Sequence, residues 1–325
     1  MSSAATFRQG IYQSRFVRRV SRWLDAMPHP PVAIEIAPDR VAAARWTRAG
    51  SVDGFAVEPL PPGSLVPSAV ETNIANLAAV KAAVAGVANR LRAKDEDVAL
   101  LLPDPVIRVF VQHFDEFPRS ASEAIPMLRW KLKKSVPFEV DETLISYMRQ
   151  APREDGVDIV TSLARLRIVR EYEGFAENAG LYPGVVLSSS LAAISLLEDD
   201  KPTLLARVSG NALTTAIVRD GVLCGYRCTE LPASGSALTP QMLLEEIFPM
   251  AAYYQDTWGE GIRSVRVAGL GPRLADFIPP LEEEFRCEVR SLLHSAVSGG
   301  KIRHDGRPLA DRELEGLVGW MLHRG

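Results

Sequence analysis

Cysteine is scarce: Cys224, Cys228 and Cys287 are the three in 325 residues. That number excludes a disulfide framework and fits a reducing compartment. Cys224 and Cys228 lie four apart on an expected strand with no paired His or Cys nearby, so plain buried thiols are expected rather than a zinc site. The five histidines (His29, His113, His294, His304, His323) are scattered without ligand spacing. Neither charge sign predominates; the net charge is −3, which excludes a global nucleic-acid signature. No apolar run approaches the length that spans a bilayer, and the basic N-terminus lacks the apolar core of a signal peptide. The expected location is therefore cytoplasmic. Ser188-Ser189-Ser190 has no nucleophile-elbow context, and Glu282, Glu283 and Glu284 read as a solvated helix face.

What is present is an ordinary globular composition, 47% apolar and 24% charged, on a chain long enough for two related halves or two domains. Residues 1–31 stand apart. Phe16, Val20, Trp23, Leu24 and Met27 share one helical face, and Arg15, Arg18, Arg19 and Arg22 fall largely elsewhere, up to the breaker Pro28-His29-Pro30-Pro31. Such a helix either anchors on anionic lipid or packs on its own body or a partner.

From Val32 the period changes to two. Strands are expected at 32–36, 40–47 and 52–58, then a Pro-rich linker, a helix over 73–92 and an apolar strand over 98–102. The same order recurs later: strands at 203–209, 213–218 and 222–229, a helix over 240–258 and a strand at 264–268. After that come a Gly269-Leu270-Gly271 turn, a helix over 273–285, a strand at 288–291 and a last helix over 309–322. Between the two units, residues 104–183 read as a compact α+β insert: strand 106–114, helix 121–134, strands 143–149 and 158–166, and helix 168–179, capped by Gly180. Val185 and Leu187 carry the chain back to a helix over 192–197. The strand-strand-strand-helix-strand unit is thus duplicated in topology, though weakly in residue identity.

Inside the insert lies the most distinctive stretch, RWKLKKSVPFEVDETLISYM over 129–148. A basic helix end (Arg129, Trp130, Lys131, Lys133, Lys134) runs into a Pro137-Phe138 turn. Acidic residues Glu139, Asp141 and Glu142 follow, then a strand with Ile145 and Tyr147. This order resembles the PilM family of type IV pilus assembly proteins, actin-like proteins related to FtsA. The resemblance spans nearly everything from Val32 onward and is most specific over Val98–Tyr147.

It implies an α/β fold: a duplicated actin-like (ribonuclease H-like) body with an inserted α+β subdomain. The first half is expected at 32–103, the insert at 104–183 and the second half at 184–325. It also implies a nucleotide cleft between the halves, where Gly-rich turns carry an Asp for magnesium and backbone N–H groups for phosphates. The positions matching those turns are altered. The first reads Glu35-Ile36-Ala37-Pro38-Asp39, with a longer carboxylate, no glycine, a Pro without an N–H and a negative charge. The second reads Arg207-Val208-Ser209-Gly210-Asn211, with a cation in place of the carboxylate. The third, Gly269-Leu270-Gly271, keeps its glycines. If ATP with magnesium binds at all, the implied residues are Glu35, Asp39, Arg207, Ser209, Gly210, Asn211, Gly269 and Gly271, with weakened affinity.

The implied partner is the extended cytoplasmic tail of a PilN-like inner-membrane protein, with an Asn-Leu-Leu-Pro-like core, gripped by the insert and the first half. The matching residues are Arg129, Trp130, Lys133, Lys134, Val136, Pro137, Phe138, Ile145 and Tyr147. Trp130 and Phe138 serve either that groove or the insert's own core. The expected role is a non-catalytic scaffold of a pilus or related secretion machine, peripheral to the inner membrane. An anionic membrane surface (through residues 15–27) and self-association are further candidate contacts, and nucleic acid is not expected. Two alternatives stand beside it: an active actin-like ATPase using Glu35, and a membrane-surface filament protein like FtsA. A small-molecule kinase of the same fold is more distant.

Overall fold

The computed structural model describes residues 29–47, 50–197, 201–231 and 237–322. The expected basic helix at residues 15–27 lies outside these.

The chain opens with β1 (Val32–Ile36), β2 (Arg40–Trp46) and β3 (Val52–Pro59), followed by α1 (Leu77–Arg90) and β4 (Asp97–Leu102). Helix α1 begins four residues later than the periodicity predicts. Asn76 accepts from the Ala79 N–H as its cap, while Asn73 is committed to the preceding loop. The Asn73 amide donates to the carbonyls of Ser68 and Glu71 and accepts from the Ser68 N–H and the Tyr172 hydroxyl. Such side-chain bonds compete with helix formation.

Next come β5 (Arg108–Phe114), α2 (Ala121–Leu132), β6 (Thr143–Arg153), β7 (Gly156–Arg165), α3 (Leu166–Asn178), β8 (Tyr182–Ser188) and a short α4 (Ser189–Ala193). The second unit is β9 (Thr203–Ser209), β10 (Ala212–Arg219), β11 (Val222–Glu230), α5 (Pro240–Trp258), β12 (Ser264–Ala268), α6 (Leu274–Phe285) and β13 (Glu288–Ser291). The chain closes with α7 (Leu292–Ser298), α8 (Arg307–Ala310) and α9 (Glu315–Leu322). Helix α7 was not expected, and the expected helix over 309–322 is broken between α8 and α9, where Glu313 takes a left-handed φ of 54°.

Two five-stranded sheets have the same order, β3-β2-β1-β4-β8 and β11-β10-β9-β12-β13. In each, the first three strands are antiparallel and the rest parallel. The expected duplication of topology is present. A third sheet, β5-β7-β6, belongs to the insert.

Three of the expected boundaries move. The insert's own small core is Phe114, Phe117, Ala124, Leu128 and Ile159, whereas Ile168, Val169, Tyr172 and Phe175 of α3 join the core of the first half. Helix α3 is therefore the crossover that feeds β8 into the first sheet, and the insert ends at β7. The first half also continues past residue 184 through β8. Finally, α9 returns to it: Leu317, Val318 and Trp320 are buried in the same core. Here α9 lies against α4 at two glycines. A Cβ at Gly319 would stand 2.2 Å from the Ala192 carbonyl oxygen, and one at Gly316 2.4 Å from the Ser189 hydroxyl.

The insert is tied to both halves. On one side, Arg165 at the end of β7 donates to the Val70 carbonyl of the first half at 3.0 Å. On the other, the Gln150 amide pairs with β11, donating to the Leu223 carbonyl and accepting from its N–H, both at 2.8 Å. Arg153 of the insert and Arg219 of the second half each lie 4.3 Å from the Trp258 ring, as cation–π contacts.

Gly319→Ala is expected to destabilise the protein by on the order of 2 kcal/mol, as overpacking does. Gly174→Ala in α3, where an added methyl meets open space, is expected to stabilise by ~0.5–1 kcal/mol. Thermal denaturation of the two variants beside the parent checks both signs.

Candidate functional site

The residues nearest the junction of the halves are hydroxyl-bearing or charged, and buried. β1 places Glu35 at its C-terminal end, 1% exposed, and β9 places Arg207 at 4%. Asp104 follows β4 in a 3-10 turn begun by Pro103 and Pro105. The run Ser188-Ser189-Ser190 joins the end of β8 to the start of α4, and Glu315 opens α9.

The Arg207 guanidinium meets three carboxylates through three different nitrogens. Nη2 is 3.0 Å from Glu35 Oε1, Nη1 is 3.4 Å from Asp104 Oδ2, and Nε is 3.6 Å from Glu315 Oε2. Hydroxyls complete the cluster. Ser189 donates to Glu35, and Ser188 and Ser190 donate to Asp104. Asp104 also accepts from the Ser190 N–H at 2.9 Å and the Thr214 hydroxyl at 2.9 Å. The Tyr226 hydroxyl lies 3.0 Å from Ser188.

Burial works against the Arg207 charge, but Glu35, Glu315 and Asp104 more than reverse that, and the pKa rises above its usual value. Burial pushes the Glu315 carboxyl up to about 7, opposed by Arg207 and reinforced by Glu35. Near neutral pH this carboxyl therefore holds a proton for part of the time.

The other turn residues are placed as follows. Asp39 is exposed and paired with Arg40 at 3.2 Å. Arg40 itself donates to the Glu313 carbonyl at 2.8 Å. Ser209 is half-buried at the end of β9, and Asn211 donates to Glu230 at 3.0 Å. Pro38 of the first turn stands against Gly210 of the second: a Cβ at Gly210 would lie 3.1 Å from the Pro38 ring. Gly269 has a φ of +78°, and its Cβ would fall 1.8 Å from the Val208 carbonyl oxygen, so glycine is required there. Beside Gly269 and Gly271 lies a cavity of about 270 Å³ whose wall includes His294, Asp311, Glu313 and Glu315.

These residues do not fit a magnesium–phosphate group between the two turns. Pro38 of the first turn stands close against Gly210 of the second, and a guanidinium already stands among the carboxylates that would hold the metal. The adjoining cavity has Asp311, Glu313 and Glu315 in its wall, and carboxylates oppose an anion there. Among the described residues no group of three or more His, Cys, Asp or Glu is placed to hold a metal ion. The three cysteines are free thiols, with Cys224 and Cys228 pushed up to about 12 by burial.

Of the residues matched to tail binding, some are open to solvent and others are engaged within the insert. Trp130 is 80% exposed, so it is no part of the insert's core. Lys133, Lys134 and Pro137 are exposed, and Val136 and Phe138 half-buried. Phe138 lies 6.0 Å from the Arg165 guanidinium, which also pairs with Glu142 at 3.5 Å and donates to Val70 at 3.0 Å. The Pro-Phe turn is therefore at the seam between insert and first half. Arg129 is committed locally, donating to the carbonyls of Asp141 and Thr143. Ile145 and Tyr147 pack on the insert's own core, with Tyr147 5.4 Å from the Phe117 ring.

Sequence reading alone does not single out Asp104, Glu315, Thr214 or Tyr226. Glu315 carries a usable signal: one charge opening the otherwise apolar run EGLVGWML.

The matched sheets and the junction between them define an actin-like fold. Among solved structures the chain is similar to the PilM–PilN type IV pilus biogenesis complex, with a TM-score of 0.67 and 17% identity over 91% of this chain and 98% of that one. It is also similar to the cytoplasmic domain of EpsL, an inner-membrane component of the type II secretion system of Vibrio cholerae, with a TM-score of 0.47 and 10% identity over 83% of this chain and 93% of that one. A Bacteroides thetaiotaomicron protein with an actin-like ATPase fold and unknown function gives a TM-score of 0.48 and 9% identity over 87% and 96%. The fold is thus PilM-like. No protein-family model and no curated protein matches the chain.

Glu315 gives the cluster a pH signature. Its folded pKa of about 7 lies above the ordinary value of 4.5, so the native state holds the proton more tightly, and stability falls as pH rises from about 4.5 through about 7. Glu315→Gln keeps the shape without the titration. The fall in unfolding midpoint between about pH 5 and pH 8 is expected to be smaller in the variant than in the parent, as read by chemical denaturation at each pH.

Proposed function

We propose that the chain is a non-catalytic docking scaffold of a type IV pilus or related secretion machine. It takes the extended cytoplasmic tail of a PilN-like inner-membrane protein at the seam between the insert and the first half. The observation that carries this reading is the placement of the 129–148 stretch. A tryptophan 80% exposed and a Pro-Phe turn lie on one small module, and Arg165 ties that turn to Val70 of the first half. A large aromatic left open to solvent is characteristic of an interface anchor. β6 is also an edge strand of its sheet, which suits an extended segment. The overall likeness to the chain of a PilM–PilN complex supports the same reading.

The contact of Pro38 with Gly210 and the guanidinium among the carboxylates favour a protein that does not turn over ATP. In this reading the actin-like body is a rigid support, held peripheral to the inner membrane by its partner. No helix among the described residues is long and apolar enough to cross a membrane.

A fluorescent peptide with an Asn-Leu-Leu-Pro-like core is expected to bind the full chain. Trp130→Ala and Phe138→Ala are each expected to weaken it by ~10-fold or more, the scale of an interface anchor. Unchanged anisotropy curves for both variants would sink the assignment. Trp130→Ala should leave thermal stability within ~0.5 kcal/mol, because the side chain is on the surface. Calorimetric titration with ATP and magnesium is expected to give no binding heat, and magnesium-dependent heat would favour the ATPase alternative.

A further inference from the structure

We propose that Arg207 is a tethered counter-cation: its guanidinium fills an anionic socket of Glu35, Asp104 and Glu315 and holds the two halves closed without a bound ligand, so that the socket emptied of Arg207 binds free guanidinium. This goes beyond tail docking and stands whether or not the seam takes a tail.

The two halves contribute unequally. The socket's carboxylates come from elements packed in or leading out of the first half: β1, the turn after β4, and α9. So do Ser188, Ser189 and Ser190. The second half adds the cation, with the hydroxyls of Thr214 and Tyr226 beside it. All three carboxylate side chains are at most 4% exposed. Without the guanidinium, three carboxyl groups would face one another away from water. They would have to bind protons, part the halves or take up another cation.

The spacing selects which cation. Each carboxylate lies nearest a different nitrogen of the planar fork: Glu35 and Asp104 accept hydrogen bonds from it and Glu315 stands 3.6 Å from Nε as an ion pair, an arrangement that suits a guanidinium. By contrast, the described residues include no group placed to hold a metal ion. The Glu35 Oε2 atom is buried with no hydrogen-bond partner, so the socket still has an acceptor to offer.

Arg207→Ala is the test, read by thermal unfolding with a few millimolar guanidinium chloride, potassium chloride or calcium chloride. The variant is expected to melt ~5–10 °C below the parent, the effect of breaking a buried ion cluster in a chain of this size. Guanidinium should restore a large part of that loss saturably, potassium should not, and the parent should respond to neither. A variant that melts with the parent, or that guanidinium does not stabilise, would overturn the proposal, as would rescue by calcium alone. If Arg207→Ala does not fold, the triple variant Arg207→Ala/Glu35→Gln/Glu315→Gln is expected to fold and to ignore guanidinium, because Asp104 is then the one charged carboxylate left in the socket and Ser188, Ser190 and Thr214 already donate to it. A triple variant that stays unfolded would show that Arg207 is needed for its bulk, which also overturns it.

Discussion

One guanidinium among three buried carboxylates is the constraint around which this molecule is arranged. Bringing such charges out of water costs several kcal/mol per ion, and their mutual attraction returns that cost only when geometry and hydrogen bonds are good. The surroundings meet those conditions in part, since Glu35 Oε2 and Arg207 Nε are buried without a hydrogen-bond partner. Three consecutive serines, a threonine and a tyrosine converge on the carboxylates, and α9 approaches closely enough for Gly316 to touch the Ser189–Glu35 contact. A buried ion cluster of this kind contributes more to selecting one arrangement of the two halves than to the total stability. The hydrophobic cores on either side supply most of the latter.

The insert is held on two fronts by different chemistry. Toward the first half it relies on an arginine, Arg165, bound to a backbone carbonyl. Toward the second it uses an amide side chain that imitates a strand pair, and a tryptophan between two guanidinium groups. The seam that presents the Pro-Phe turn is thereby set by both halves at once. A surface built this way is pre-organised, which limits the ordering cost of any association there.

Much of the fold is legible in the sequence because its strands alternate cleanly and its turns use Gly, Asn, Asp and Pro where the chain reverses. β9, β10, β11 and α5 fall within a residue of their expected ends. Local signals fail where a side chain competes with the backbone, as at Asn73, or where a short segment belongs to a distant core, as with α3 and α9. The altered turns at Glu35 and Arg207 are visible as departures from a motif, and so is the change of sign at Arg207. What the sequence does not reveal is that the two are partners, because 172 positions separate them. Asp104 reads as the end of a strand between two prolines, and the serine run reads as featureless polarity. Both acquire meaning only when parallel pairing of β4 with β8 places their ends side by side. Trp130 shows the same limit: helical periodicity marks an aromatic without telling whether it faces core or solvent.

The return of α9 to the first half has a temporal consequence. A chain made from its N-terminus exposes β1 to β8 first, yet the wall carrying Glu315 and Trp320 is synthesised after both sheets. The second sheet, contiguous from β9 to β13, can assemble as soon as it emerges. The first must wait with α4 uncovered and the serine run open. The half that is first in order of synthesis is therefore completed after its sibling, and the charge cluster can close only once both are in place.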